Sequence, residues 1–392
     1  MLKQLKCVGE IIKKEFDLRQ ACFVCTTPYQ IIGALSIVLC EKLKADIFIC
    51  STFKGYKELA DRLKNLKVFQ NVYEIDCNKI KPFSNRRHSK IGSLIQPLIQ
   101  VCKPERYVSR FLDDNLTYNS FYVSSRAHIK MLMYYVLQKR NPNMRVIIFD
   151  DGLGSYQENS HALNASKLRC WVENILGLKN YDSKLVSFEL YLHNMIKLPS
   201  YLKNCPIGQM PRLNWNKEEN KKILKALFGI KDTEKYNEKI ILFDNFRDSK
   251  SRLDLFRKID ECFEKILEIA GEDNILFKGH PRSLVSPSIP LKNTAKQGIP
   301  VEVFYSDMDD LDSRVLVAYN STAIYTPKIL FDKEPWVICL HRIVGTAPQE
   351  NPEQIYQMFL SEYRNPKKLF APKNLEELQG MLLIPLKMDK MK

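Results

Sequence analysis

The chain has 392 residues, 45% of them apolar, and its 60 basic and 45 acidic side chains leave a net charge of +15. That length holds two domains of ordinary size, and the apolar share excludes a disordered or low-complexity chain. The charge favours anionic partners, whether nucleic acid, an anionic membrane leaflet or a nucleotide-linked substrate, with a basic solvated surface as the plain alternative.

Eleven cysteines at irregular spacing argue against a secreted disulfide framework and fit a reduced, cytoplasmic compartment. Cys22-x-x-Cys25 lies inside an apolar run and reads as two small core residues. Lys3, Lys6, Lys13, Lys14 and Arg19 crowd the first twenty residues, with no apolar stretch of signal-peptide type. Ile31–Cys40 is too short to span a bilayer. Residues 1–16 have the character of a basic amphipathic helix, to pack on the body of the protein or on a membrane surface.

Strands and helices alternate along the first half. Ala21–Cys25 predicts a strand, Tyr29–Lys44 a helix, Asp46–Cys50 a strand, Tyr56–Leu66 a helix and Val72–Ile75 a short strand. A basic loop, Pro82–Ser93, precedes a helical segment at Leu94–Val101. Ser120–Val123 predicts a strand, Ala127–Gln138 a helix, and Arg145–Phe149 a strand that ends in Asp150-Asp151-Gly152. Such an order implies a parallel sheet covered by helices.

Between Leu198 and Asn216 three prolines and a glycine interrupt all periodicity, which marks 198–216 as the linker. Asn216 and Glu219 then have capping-box spacing for a helix start. Lys239–Phe243 predicts a strand, and Leu253, Phe256, Ile259, Phe263, Ile266 and Leu267 recur at helical spacing up to Gly271. Strands are expected at Asn274–Phe277, Val301–Tyr305, Arg314–Tyr319 and Trp336–Leu340. The fold class expected is α/β: a Rossmann-like domain over 1–197, the linker 198–216 and a second Rossmann-like domain over 217–392, facing a central cleft.

Three strand ends carry the chemistry, since ligands of open α/β sheets bind outside the carboxyl ends of strands. At the first, Asp150 and Asp151 are adjacent carboxylates before Gly152; like-charged neighbours raise one pKa and suit a general base, and a solvated acidic turn is the alternative. At the second, Lys278-Gly279-His280-Pro281, with Arg282, offers cations and an imidazole for a phosphate, or is an ordinary loop. At the third, Asn320-Ser321-Thr322 offers hydroxyls to an anion, or is an ordinary helix cap. Asp113-Asp114 and the run Asp307-x-Asp309-Asp310-x-Asp312 invite a metal reading, which acid-rich composition alone also explains. No phosphate loop, dinucleotide fingerprint or zinc spacing is present, and no RNP-like motif, recognition helix or zinc finger points to nucleic acid.

Thr26-Thr27-Pro28-Tyr29-Gln30, Asp150-Asp151-Gly152, Lys278-Gly279-His280-Pro281 and Asn320-Ser321-Thr322 occur in that order, each at a predicted strand end. In this the chain resembles the bacterial sialyltransferases of the lipooligosaccharide type, glycosyltransferase family 52, within the wider bacterial sialyltransferase and polysialyltransferase group. The resemblance implies a GT-B-like fold and an inverting transfer of sialic acid from CMP-sialic acid to a terminal sugar of a surface glycan, lipooligosaccharide or capsule, with no metal required. It implies Asp151 or Asp150 as base and His280 as acid or electrostatic stabiliser. Lys278, Gly279, His280, Pro281, Asn320, Ser321 and Thr322 would hold the CMP. The first domain would be the acceptor side, the second the donor side. Asp244 and Asp248, in Phe243-Asp244-Asn245-Phe246-Arg247-Asp248, are the alternative base; that segment departs from the Thr-Gln-Pro-like sequence of the family. A glycolipid acceptor places the enzyme in the cytoplasm, peripheral on the anionic inner membrane face, and the resemblance allows a homodimer. A GT-B transferase using a nucleotide-diphospho-sugar or CDP-glycerol is the alternative, and a nucleic-acid-binding protein a remote one.

Overall fold

A computed structural model describes residues 17–77, 103–124, 128–152, 154–156, 175, 186–190, 206–230, 235–245, 247, 253–280, 283, 287–296, 299–346 and 351–389. Pro82–Ser93, Leu94–Val101, Asp248, Pro281 and Arg282 lie outside the described residues. The chain divides into two compact units, Met1–Phe149 with Leu163–Phe188, and Asp150–Ala162 with Glu189–Lys392.

The first sheet holds β1 (Asp17–Cys25), β2 (Ala45–Cys50), β3 (Asn71–Ile75), β4 (Leu116–Val123), β5 (Arg145–Phe149), β6 (Val186–Leu190) and β7 (Ile207–Gln209), in the order β3-β2-β1-β4-β5-β6-β7. The pairs β1–β2, β2–β3, β1–β4 and β4–β5 are parallel. Helix α1 (Pro28–Glu41) begins where Thr27 turns extended and its hydroxyl accepts from Gln30 N; Pro28 fills the first turn, which needs no N–H there. Residues Gln30 to Val38 are all buried, so α1 is a core helix rather than an amphipathic surface one. Cys22 and Cys25 are buried thiols, and a spacing of three along a strand puts them on opposite faces, which rules out joint chelation.

One buried carboxylate ties four neighbouring strands of this sheet. Asp46 on β2 accepts from Arg19 on β1, from Asn71 Nδ2 on β3 at 2.9 Å and from Tyr118 OH on β4 at 2.7 Å. A fully buried carboxylate is tolerable only with such partners.

The second sheet is parallel throughout. Its strands are β8 (Ile240–Phe243), β9 (Ile275–Lys278), β10 (Asn293–Thr294), β11 (Val315–Ala318), β12 (Trp336–Cys339) and β13 (Leu369–Phe370), in the order β10-β9-β8-β11-β12-β13. This is the Rossmann order, with a switch point between β8 and β11. Runs such as IILF, VLVA and WVIC are buried along their whole length, because a parallel sheet is covered on both faces. Helix α5 (Leu253–Ala270) lays Phe256, Ile259, Phe263 and Ile266 against Ile240, Leu242, Ile275, Phe277, Val315 and Val317. Each such side chain contributes about 1.5–3 kcal/mol on burial.

Val301–Tyr305 is a helix and not the strand its apolar pattern predicts: α6 spans Val301–Ser306. Pro300, with φ −59°, stands at its start, and its carbonyl accepts from Phe304 N at 3.0 Å. Four apolar residues in a run of five do not separate a buried strand from a buried helical turn; here the proline decides. Helix α4 (Glu218–Phe228) starts without the capping box, since Lys217 stands at its cap position and no side chain caps it. Inside the 198–216 segment, Ile207–Gln209 forms β7, and Met210 N donates to Leu190 O at 2.9 Å.

Asp46→Ala leaves the buried Tyr118 hydroxyl without its acceptor and removes the ion pair with the partly exposed Arg19. The expected loss is about 1–3 kcal/mol, read as a lower urea midpoint with an unchanged slope.

Candidate functional site

At the tip of β5 the two adjacent aspartates are separated in role by the turn they form. Asp150 is fully buried; its Oδ1 accepts from Gly152 N at 2.6 Å and its Oδ2 from the Tyr156 hydroxyl. Gly152 sits at φ +78°, a left-handed value that favours glycine. Ser155 Oγ accepts from Asp151 N at 2.8 Å, and Ser155 N donates to Gly152 O at 3.0 Å. Asp150 therefore holds the turn, and Asp151 beside it is partly exposed. Sequence pattern alone does not rank the two, because the donors to Asp150 become visible only once the turn is closed.

The segment Thr26–Gln30 lies at the switch point of the first sheet, between β1 and β4. Gln30 Oε1 accepts from Thr26 N at 2.7 Å, from Thr26 Oγ1 at 3.0 Å and from Lys130 Nζ at 3.4 Å. Lys130, wholly buried on the helix His128–Arg140, also reaches Ser124 Oγ at 3.0 Å beyond the end of β4. The motif is thus a polar staple between two strand ends.

In the second sheet, the loops after β9, β8 and β11 stand side by side. Asp244 follows β8 and is buried, with both carboxylate oxygens accepting from Arg247 Nε at 2.8 and 2.9 Å. The same guanidinium reaches Asp260 on α5 through Nη2 at 2.6 Å and Nη1 at 3.1 Å. Burial pushes the Asp244 carboxyl up while Arg247 pulls it back. A carboxylate occupied in this way is an anchor for its loop. Ser283 N donates to His280 O at 3.0 Å, and Ser283 Oγ joins Arg247 N to Asn245 O at 3.0 and 3.1 Å. Asn245 Nδ2 donates to Asn320 O at 2.9 Å, across the switch point.

His280 is partly exposed just past the end of β9. Lys278, by contrast, is 7% exposed; its Nζ donates to Ile299 O at 2.9 Å and lies over the Phe304 ring. Burial pushes its pKa down to about 8, against the pull of Glu302. Gly279 has room for a methyl group, which would meet Phe277 Cε1 at 3.5 Å. Ser321 caps the 3-10 turn Thr322–Ile324, its Oγ accepting from Ala323 N at 3.3 Å, so the hydroxyl hydrogen is left to donate. Asn320 and Thr322 are partly exposed beside it.

The acidic run Asp307–Asp312 carries its own cations. Asp307 pairs with Lys225 at 2.9 Å, Asp309 with Lys221 at 3.4 Å, Asp310 with Arg314 at 2.8 Å and Asp312 with Lys333 at 3.1 Å. Among the described residues no group of three or more His, Cys, Asp or Glu is placed to hold a metal ion. The sequence pattern does not mark Asn245, Ser283, Arg247 and Tyr156 as the residues that hold these strand-end turns. For the first three, the partners lie up to 75 residues away in the chain.

Because Lys278 holds its proton less tightly folded than unfolded, its penalty is complete below pH 8 and fades as pH rises towards 10.5. The cost is roughly 3 kcal/mol at neutral pH. Lys278→Met is expected to stabilise the protein at pH 7, and its advantage over wild type in urea unfolding to shrink between pH 8 and 10.5.

In fold the chain is similar to the calicheamicin glycosyltransferase CalG4, with 11% identity, a TM-score of 0.47 and coverage of 96% of this chain and 98% of that one. It is also similar to UDP-bound MnaA of S. aureus, at 11% identity, TM-score 0.44 and coverage of 95% and 97%. A third similar structure is that of the trehalose-6-phosphate synthase OtsA, at 11% identity, TM-score 0.37 and coverage of 94% and 96%. No curated protein matches the sequence. Among the described residues no helix is long and apolar enough to cross a membrane. The model of the alpha-2,8-polysialyltransferase family matches residues 22–340, from β1 to the end of β12. The chain belongs to that family and is a glycosyltransferase of the sialyltransferase group.

Proposed function

We propose that the protein is an inverting sialyltransferase that moves sialic acid from CMP-sialic acid to a terminal sugar of a bacterial surface glycan, in lipooligosaccharide or capsule. The observation that carries the reading is the Asp150–Gly152 turn. Asp150 is spent on holding the turn, and the partly exposed Asp151 beside it takes the role of general base.

Asp151 takes the proton of the acceptor hydroxyl. The hydroxyl oxygen forms its bond to the anomeric carbon as the bond from that carbon to the CMP phosphate oxygen breaks, and CMP leaves with the electron pair. His280 donates to the departing phosphate, and the Ser321 and Thr322 hydroxyls donate to the same group. Lys278 and Asp244 take supporting roles, since both are committed to the interior. The scheme calls for no metal. The net charge of +15 suits an anionic donor and peripheral docking on an anionic inner leaflet. A lipooligosaccharide-type enzyme adds one residue and a polymerising one adds many; product length separates them.

CMP release from CMP-sialic acid is the test, beside a screen of UDP- and GDP-sugars and CDP-glycerol. Asp151→Asn and His280→Ala are each expected to lower kcat by about 10²–10⁴-fold with unchanged thermal unfolding. Turnover confined to a diphospho-sugar or CDP-glycerol, or full activity in both variants, overturns the assignment.

A further inference from the structure

We infer that Asn245 is a specificity-determining residue of the donor site, whose side-chain oxygen receives a hydroxyl of the nucleotide sugar. The inference rests on the donor reading above.

Asn245 stands two residues past the end of β8, where the second sheet reverses its strand order. Its amide is oriented without ambiguity. Nδ2 donates to the carbonyl of Asn320 at 2.9 Å, and a carbonyl only accepts, so the opposite atom is the oxygen. That Oδ1 is buried and has no hydrogen-bond donor among the described residues. A buried acceptor left unmatched is costly, and in a native protein it calls for an explanation such as an absent ligand.

The amide is also held still. The Asn245 carbonyl accepts from Ser283 Oγ at 3.1 Å, and its N–H serves the Asp244 carboxylate that Arg247 grips. Fixed acceptors at a switch point select ligands by what they can donate. A phosphate at neutral pH offers acceptors only, so Oδ1 is not its partner. The side chain bonds the carbonyl just before Ser321, which the donor reading places at the phosphate. Within reach of that phosphate a CMP-sugar has hydroxyls, on the ribose or on the transferred sugar. The cytosine amine lies beyond the ribose.

The test is calorimetric binding of CMP and of 2′,3′-dideoxy-CMP to wild type and Asn245→Ala, with KM for CMP-sialic acid measured in parallel. If the ribose is the source, Asn245→Ala weakens CMP about five- to tenfold and leaves dideoxy-CMP unchanged. If the transferred sugar is the source, CMP binding is unchanged and KM for CMP-sialic acid rises by a similar factor. Equal loss for both nucleotides marks a merely structural residue and overturns the inference, as does no change with any ligand. Asn245→Asp separates the two roles of the amide: it keeps an acceptor but opposes the Asn320 carbonyl. A lower Tm with the CMP-over-dideoxy preference retained supports the contact even where the alanine variant does not fold. Wild type that binds no cytidine nucleotide overturns the donor reading, and this one with it.

Discussion

The guanidinium of Arg247, clamped between Asp244 and Asp260, is the interaction on which the second sheet's ligand edge depends. It joins the loop after β8 to the long helix α5, and Asp260 also receives Ser288 N at 3.2 Å. Two buried carboxylates around one guanidinium offset their own desolvation only while all three stay together; removing one member of such a group costs about 3–5 kcal/mol. From that clamp the hydrogen bonds run outward, through Ser283 to His280 O and through Asn245 to Asn320 O. Three strand-end loops, separated in sequence, are thereby held in one arrangement. A site for charged transition states gains most from groups that need no reorganisation when the reaction occurs.

Elsewhere the chain repeats one economy with its acids. Asp46 is consumed by side chains from three other strands, Asp150 by Gly152 N and Tyr156, and the Asp307–Asp312 carboxylates by lysines and arginine. Against that background Asp151 differs in what its backbone does. Its N–H is held by Ser155 while its side chain stays partly exposed at a strand tip. The lysines divide in the same way. Lys278 and Lys130 sit beside ligand edges in sequence and pattern, yet both ammonium groups are turned into the protein. The proposed phosphate contacts therefore fall to the imidazole and hydroxyl groups, which bind an anion at little desolvation cost.

Much was legible in the residues themselves. Apolar runs such as Lys239–Phe243 and Asn274–Phe277 declare buried parallel strands, and the stripe from Leu253 to Leu267 declares the helix that covers them, because burial demands continuous or period-matched apolar surface. The strand-end motifs, and through them the wider sialyltransferase and polysialyltransferase group, were legible too, since strands that end in Asp, His or Ser place polar groups at a sheet's ligand edge. Val301–Tyr305 was not, for a five-residue run with four apolar side chains fits either a strand or a helical turn and only the placement of Pro300 resolves it. Tertiary structure alone decided which of two adjacent aspartates is buried in the turn, that Lys278 and Asp244 face inward, and that Asn245 has a buried oxygen with no partner among the described residues. The reason is physical: a side chain's partners are set by what the fold brings within about 3 Å, and here many of those partners come from distant parts of the chain.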